Sequence, residues 1–392
     1  MGKEHCQNLL RIGAGNDFHG TAALSIYRIL YSCRHNSWAV FLASPQAASM
    51  SNAQSLRVSQ EAIARLPLLR TSERNAYNRC IQRWWWGWRE GLIESGPPND
   101  KLWFGTGWHY VMAHWYGKKG TKRGANPLKV WRDWIGEEIP KIRVNLHGED
   151  WKEETYLDAG KLGEAMIGAY IDRWGTDPHW DVIQVERPFE VVIVDTHGRP
   201  RVLFCGTYDG VYRDLNDDHI WLMEHKTAKQ IVLAHLSMDN QAGGYFMVAA
   251  RELANAKLIK PGERLFGITY NFARKALPDE RPQDAQGRYL NKNGTVSKQQ
   301  GSPLFQRYQV IRTTRERNSM INRIQAEVEH MNAVRTGQLP VFKNPTRDCS
   351  WDCSFYQMCL LHESGGKDWE EYRDHIYKQR DPYEDHRKSA SD

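Results

Sequence analysis

The stretch GTYDGVYRDLNDDHIWLMEHKTAK (206–229) holds the residues best suited to chemistry. Asp209 follows one run of strand-forming residues, and Glu224 and Lys226 lie two apart on the next. Side chains alternate faces along a strand, so Glu224 and Lys226 project together and His225 points away. A hairpin through the NDD turn brings Asp209 alongside Glu224. Two carboxylates and an ammonium then meet among Ile220, Trp221, Leu222 and Met223. Like charges packed together repel unless a cation lies between them, so the pair suggests a hard divalent ion. The lysine then has a separate task. It orients or helps deprotonate a water attacking phosphorus and stabilises charge in the transition state. The competing reading is a cross-strand ion pair on the surface.

A second group is Cys349, Cys353 and Cys359, bunched near the end, with Cys80 alone beside Trp84, Trp85, Trp86 and Trp88. The first residues lack a basic-then-apolar signal layout, so a cytoplasmic chain is expected, and its seven Cys do not read as a disulfide framework. The four tryptophans, flanked by Arg79, Arg83 and Arg89, cover every face of one helix. At least one is therefore expected at the surface, where it would stack on unpaired bases; core filling is the alternative.

The 392 residues are 41% hydrophobic and 26% charged, which is globular composition and excludes fibrous or wholly disordered chains. No apolar run reaches the ~18–20 residues a membrane span needs. A formal charge of +6 permits a polyanionic partner without demanding one.

The elements that must position these residues follow from periodicity. Residues 1–49 match no period and read as an extension, with Met50 a candidate true start. Residues 1–70 are set apart as an N-terminal extension, 71–361 as the main domain and 362–392 as a polar tail. A helix with Ser72 as N-cap is expected through Glu90, and a second carries His109, Met112 and Ala113 on one face. Amphipathic helices follow at 128–145 and 152–174. Three strands at 182–194, 201–214 and 219–229 form a meander. A helix at 238–255, a strand at 265–276, a last strand at YQVIRTT and a helix at 315–336 complete a mixed α/β core. The polar span 278–303 reads as a mobile loop, and KKGTKR (118–123) as a solvated or phosphate-contacting loop.

Asp209 with Glu224-His225-Lys226 resembles the catalytic core of the PD-(D/E)XK nuclease superfamily. His109 in FGTGWH resembles an upstream motif of its RecB-like branch that supplies a metal-binding imidazole. Gln241 and Tyr245 in QAGGY match that branch's Q-x3-Y motif, and as i, i+4 neighbours they share a helix face. Cys80 with the C-terminal triplet is similar to the iron–sulfur frame of CRISPR-associated exonucleases. The chain departs from the pattern in lacking Pro before Asp209 and in a three-residue first Cys gap.

The resemblance implies a restriction-endonuclease-like α/β core, a mixed sheet flanked by helices. It makes His109, Asp209 and Glu224 the metal ligands, and Lys226, Gln241 and Tyr245 further catalytic residues. Glu186, on the preceding strand, is a candidate supporter of the metal. The ion would be Mn²⁺ or Mg²⁺, with an imidazole ligand tilting the preference towards Mn²⁺. Cys80, Cys349, Cys353 and Cys359 would hold a [4Fe–4S] cluster, structural Zn²⁺ or free thiols being the alternatives. The cluster would join the helical N- and C-terminal segments. The implied activity is exonucleolytic hydrolysis of DNA phosphodiester bonds, with single-stranded DNA favoured and a phage-encoded origin suggested. A catalytically inert DNA-binding or assembly module is the alternative. Recombination or replication proteins are candidate partners, and homo-oligomerisation stays open.

Overall fold

The computed structural model describes residues 60–145, 152–195 and 197–389, together with short strands at 33–34, 37–38 and 41–42. The proposed start at Met50 and most of the 1–49 extension lie outside the described residues.

In chain order the main elements are α1 (Thr71–Arg79), α2 (Asp100–Trp115), α3 (Pro127–Asn145), α4 (Glu153–Trp174), β1 (Trp180–Val194), β2 (Pro200–Asp214), β3 (Ile220–Ala228), α5 (Asn240–Asn255), β4 (Leu265–Arg274), β5 (Phe305–Ile311) and α6 (Thr314–Arg335). The central sheet runs β5-β4-β3-β2-β1, with Phe41–Leu42 on the far edge of β1. The expected meander is present: β1, β2 and β3 pair antiparallel, whereas β3 and β4 are parallel. One face of the sheet packs α1, α5 and α6 through residues such as Phe204, Leu222, Ala242 and Ile324. The other packs α2, α3 and α4 through Trp108, Met112, Trp131, Ile167 and Met223. Trp103, Trp108, Trp131 and Trp134 are buried there, so much of the unusual tryptophan content is core. No described helix is long and apolar enough to cross a membrane.

β2 is paired unevenly along one edge. Leu68–Leu69 run parallel to it at Leu203 and Phe204, and β3 takes over only from Gly210 to Arg213. Residues 205–209 lie between these two partners. This fork in the sheet is where the site forms.

Several expectations change. The helix from Ser72 to Glu90 is not continuous: it starts at Thr71 with Arg70 at the N-cap, breaks at Cys80 (φ −163°, ψ 120°), resumes at Ile81–Trp84 and widens into a π turn at Trp85–Arg89. The break lets Cys80 turn towards Asn344, whose backbone N–H donates to its Sγ at 3.4 Å. None of the four clustered tryptophans is fully exposed: Trp84 and Trp86 are buried, and Trp85 and Trp88 pack against the core. Stacking on bases by this group loses its footing. The 278–303 span carries two isolated bridges, Gln283↔Tyr289 and Leu290↔Val296, because Asp279 and Asp284 capture the backbone and guanidinium N–H groups of Arg281 and Arg288. The polar tail folds back: Tyr377–Gln379 pairs with Leu92–Glu94, and Tyr383 donates to the Leu68 carbonyl at 2.9 Å. In the KKGTKR loop, Arg123 donates to the Asp177 carbonyl at 2.7 Å, a structural bond rather than a free cation.

Candidate functional site

Asp209 is the last residue of β2 before pairing with β3 begins at Gly210↔Met223, so Glu224 faces it across the fork. Helix α2 starts cleanly because Asn99 accepts the N–H groups of Lys101 and Leu102, at 3.1 and 3.3 Å. Gly107 lets α2 lie against α3, since a Cβ there would sit 2.3 Å from the Trp134 ring. Held in this way, α2 places His109 Nδ1 3.2 Å from Asp209 Oδ1. The other oxygen, Oδ2, accepts the His225 backbone N–H at 2.6 Å, which fixes the carboxylate's orientation.

Glu186 joins this pair from β1. The partners Val185↔Gly210 and Arg187↔Tyr208 put it opposite Asp209. Its φ of +43° is left-handed, a conformation a non-glycine residue adopts only where the surroundings impose it. One donor atom from each of His109, Glu186 and Asp209 lies within 4.8 Å of the others. An imidazole and two carboxylates at that separation suit a divalent cation.

Glu224 is fully buried, and its Oε1 lies 2.6 Å from Lys226 Nζ. Its Oε2 has no hydrogen-bond partner among the described residues. A buried carboxylate oxygen is costly to leave orphaned, and a cation beside Asp209 would satisfy it. Lys226 Nζ also donates to Gln241 Oε1 at 2.8 Å, so Gln241 braces the lysine. The Asp239 side chain caps α5 by accepting the Gln241 N–H at 2.9 Å, which sets where that amide stands. Tyr245, one turn on, lies over Gly206, where a Cβ would come within 3.1 Å of its ring. Thus the structure brings His109, Asp209 and Glu186 to one point and pairs Glu224 with Lys226 beside it.

The electrostatics follow from this crowding. Burial disfavours a charged His109, but Asp209, Glu224 and Glu186 outweigh it and raise the imidazole to about 9. Burial works against Asp209 ionising, yet His109 and the His225 N–H hold its carboxyl below the ordinary range. Glu224 moves up, through burial and the Asp209 charge, against the pull of Lys226. Surrounding protein and the Asp209 charge push Glu186 up to about 7. His225, on the opposite face, is buried and lowered to about 3. Its Nδ1 accepts from Asn271 Nδ2 at 3.0 Å, and its ring stacks on Tyr116.

Cys80, Cys349, Cys353 and Cys359 are all free thiols. Burial raises Cys353 and Cys359; Cys349 and Cys80 raise Cys353 further, and Cys80, Cys353 and Cys349 raise Cys359, so the four lie in one neighbourhood. Among the described residues no three of these sulfurs come within the 4.8 Å that groups the histidine–carboxylate cluster. Backbone N–H groups of Asn344 and Thr346 donate to Cys80 and Cys349 Sγ at 3.4 and 3.3 Å. Arg79 pairs with Asp352, tying α1 to the cysteine segment.

Residues 71–360, about three quarters of the chain, match the sequence model of the PD-(D/E)XK nuclease superfamily. The chain belongs to that superfamily. No curated protein matches it. Nucleases of the superfamily use Mg²⁺ or Mn²⁺, hydrolyse phosphodiester bonds and take DNA as substrate. The mixed sheet flanked by helices agrees with this fold, and the His109–Glu186–Asp209 cluster is a candidate site for the ion.

Proposed function

We propose that this chain is a DNA exonuclease of the RecB-like branch, acting on single strands, with a [4Fe–4S] cluster on Cys80, Cys349, Cys353 and Cys359. The observation that carries the nuclease reading is the convergence of His109, Glu186 and Asp209 beside the Glu224–Lys226–Gln241 relay. A bound Mn²⁺ or Mg²⁺ would supply a Lewis acid for the scissile phosphate and acidify a water. His109, Asp209, Glu186 and the open oxygen of Glu224 would hold it. Lys226, kept cationic by Glu224 and aimed by Gln241, positions the attacking water and offers charge to the developing oxyanion. Tyr245 stays protonated because burial raises it, so its hydroxyl is available to donate to a phosphate oxygen.

Depth supports a single strand. Asp209 is 7% exposed and Glu224 0%, so an unpaired strand reaches them more readily than a stiff duplex. The three-plus-one layout of the cysteines along the chain supports the cluster, since four-cysteine zinc sites more often come as two paired knuckles. The N–H donors to sulfur suit cluster ligands.

The test is Mn²⁺-dependent degradation of end-labelled single-stranded DNA by wild type and Lys226→Ala. Stepwise shortening by wild type, with kcat at least ~10²-fold lower in the variant and unchanged Mn²⁺ affinity, is expected. DNA binding without metal-dependent cleavage would overturn the reading in favour of an inert binding module. Anaerobically purified protein is expected to be brown, with about four irons per chain; stoichiometric zinc would overturn the cluster.

A further inference from the structure

The stretch of β2 that neither neighbour covers opens into a cavity of about 380 Å³ beside the candidate active site. Cys205, Gly206 and Thr207 form its floor, and Gln241 and Tyr245 form the wall shared with the lysine relay. Arg70, Thr71, Ser72 and Asn75, the start of α1, form the opposite wall, with His386 from the C-terminal helix behind them. None of the described residues lining it is acidic.

Three features point to one kind of ligand. The nine-residue α1 has no side-chain cap, so the first N–H groups of the helix face this space with the positive end of its dipole. Thr71, which lines the cavity, is 3% exposed, and its hydroxyl has no hydrogen-bond partner among the described residues. Arg70 adds a guanidinium at the same point. Burial holds the Cys205 thiol up to about 12, so it contributes no negative charge. Two acids pack close by and both are engaged: Glu73, in the first turn of α1, by Trp84 Nε1 at 2.9 Å and Arg335 Nη2 at 3.0 Å, and Glu190 by His386 Nε2 at 2.8 Å.

We propose that this cavity binds a phosphate group of the DNA strand, one nucleotide away from the scissile phosphate. Thr207 lies two residues before Asp209 on one strand, about 7 Å along it, so the cavity and the metal cluster are in line. Backbone N–H groups, the Thr71 hydroxyl and Arg70 then bind the phosphate, and Gln241 links this contact to Lys226. The inference rests on the nuclease reading and names a second contact for the same substrate.

The test uses Ser72→Asp and Arg70→Gln in the full chain. An acid in the first turn favours the helix, so Ser72→Asp keeps or raises Tm while repelling phosphate. Inorganic phosphate binding, followed by titration without Mn²⁺, is expected to weaken about ten-fold in both variants. KM for single-stranded DNA is expected to rise by a similar factor with kcat nearly unchanged. Substrates with 5′-phosphate, 3′-phosphate or hydroxyl ends separate two sources of the ligand: a preference for one phosphorylated end that the variants abolish means a terminal monoester, and an equal loss on all ends means an internal diester. Unaltered phosphate affinity and KM in both variants would overturn the proposal while wild-type cleavage still stands. Wild type that binds phosphate but never cleaves would sink only the nuclease reading.

Discussion

At the scale of single residues, the site is an arrangement of acids that would repel one another without something positive between them. His109 supplies part of that charge in the protein itself, since three carboxylates hold its ring protonated up to about 9. Glu186 is the costly member, because it keeps a left-handed backbone at φ +43° and is pushed up to about 7 by crowding and by Asp209. A residue held so against its preferences is expected to earn function there. Glu186→Gln removes one anionic donor while keeping shape. We predict Mn²⁺ affinity ~10–100-fold weaker, read by titration calorimetry, with the fold and Tm little changed. An unaltered affinity would place the ion elsewhere.

At the scale of elements, α5 does two jobs at its opposite ends. Its first turn carries Gln241 to Lys226, and its last carries Glu252 under β2. Tyr208 Oη donates to Glu252 Oε2 at 3.3 Å, while Oε1 has no hydrogen-bond partner among the described residues. Burial therefore raises Glu252 to about 7. With the folded value above the unfolded one, the unfolded chain loses this proton first as pH rises. Stability from this residue is fully present below the ordinary carboxylate range and is lost as pH climbs towards about 7. Glu252→Gln carries no such proton, so its urea stability relative to wild type is predicted to improve between pH 5 and pH 8, by on the order of 1–3 kcal/mol. A pH-independent difference would refute the assignment.

At the scale of the whole molecule, the chain's last described segment closes the fold. Tyr377–Gln379 completes a two-stranded sheet with Leu92–Glu94, Tyr383 bonds Glu73 and the Leu68 carbonyl, and His386 reaches Glu190 on β1. These contacts buttress α1 and the cavity wall at its N-terminus. Deleting residues 366–392 is predicted to lower Tm by several degrees and to weaken phosphate binding together with it. The comparison to make is thermal unfolding with and without 10 mM-range phosphate, as an order-of-magnitude saturating dose; a truncated chain as stable and as phosphate-responsive as wild type would show the segment to be dispensable.

Much of this was legible in local pattern. Alternation along β3 put Glu224 and Lys226 on one face, three- and four-residue spacing located α3 and α4, and the i, i+4 step joined Gln241 to Tyr245 on α5. These depend only on backbone geometry, which short stretches of chain dictate. The break at Cys80 was not legible, because it serves a bond to Asn344, 264 positions away. The burial of the Trp84–Trp88 cluster and the folded C-terminal segment likewise come from distant partners, and so do Glu186's unusual backbone and the open edge of β2. The sequence by itself therefore determined which groups could do chemistry and which elements carry them. Their meeting at the fork between β2 and β3 was decided by tertiary structure, since strand register and helix packing join residues that no local periodicity relates.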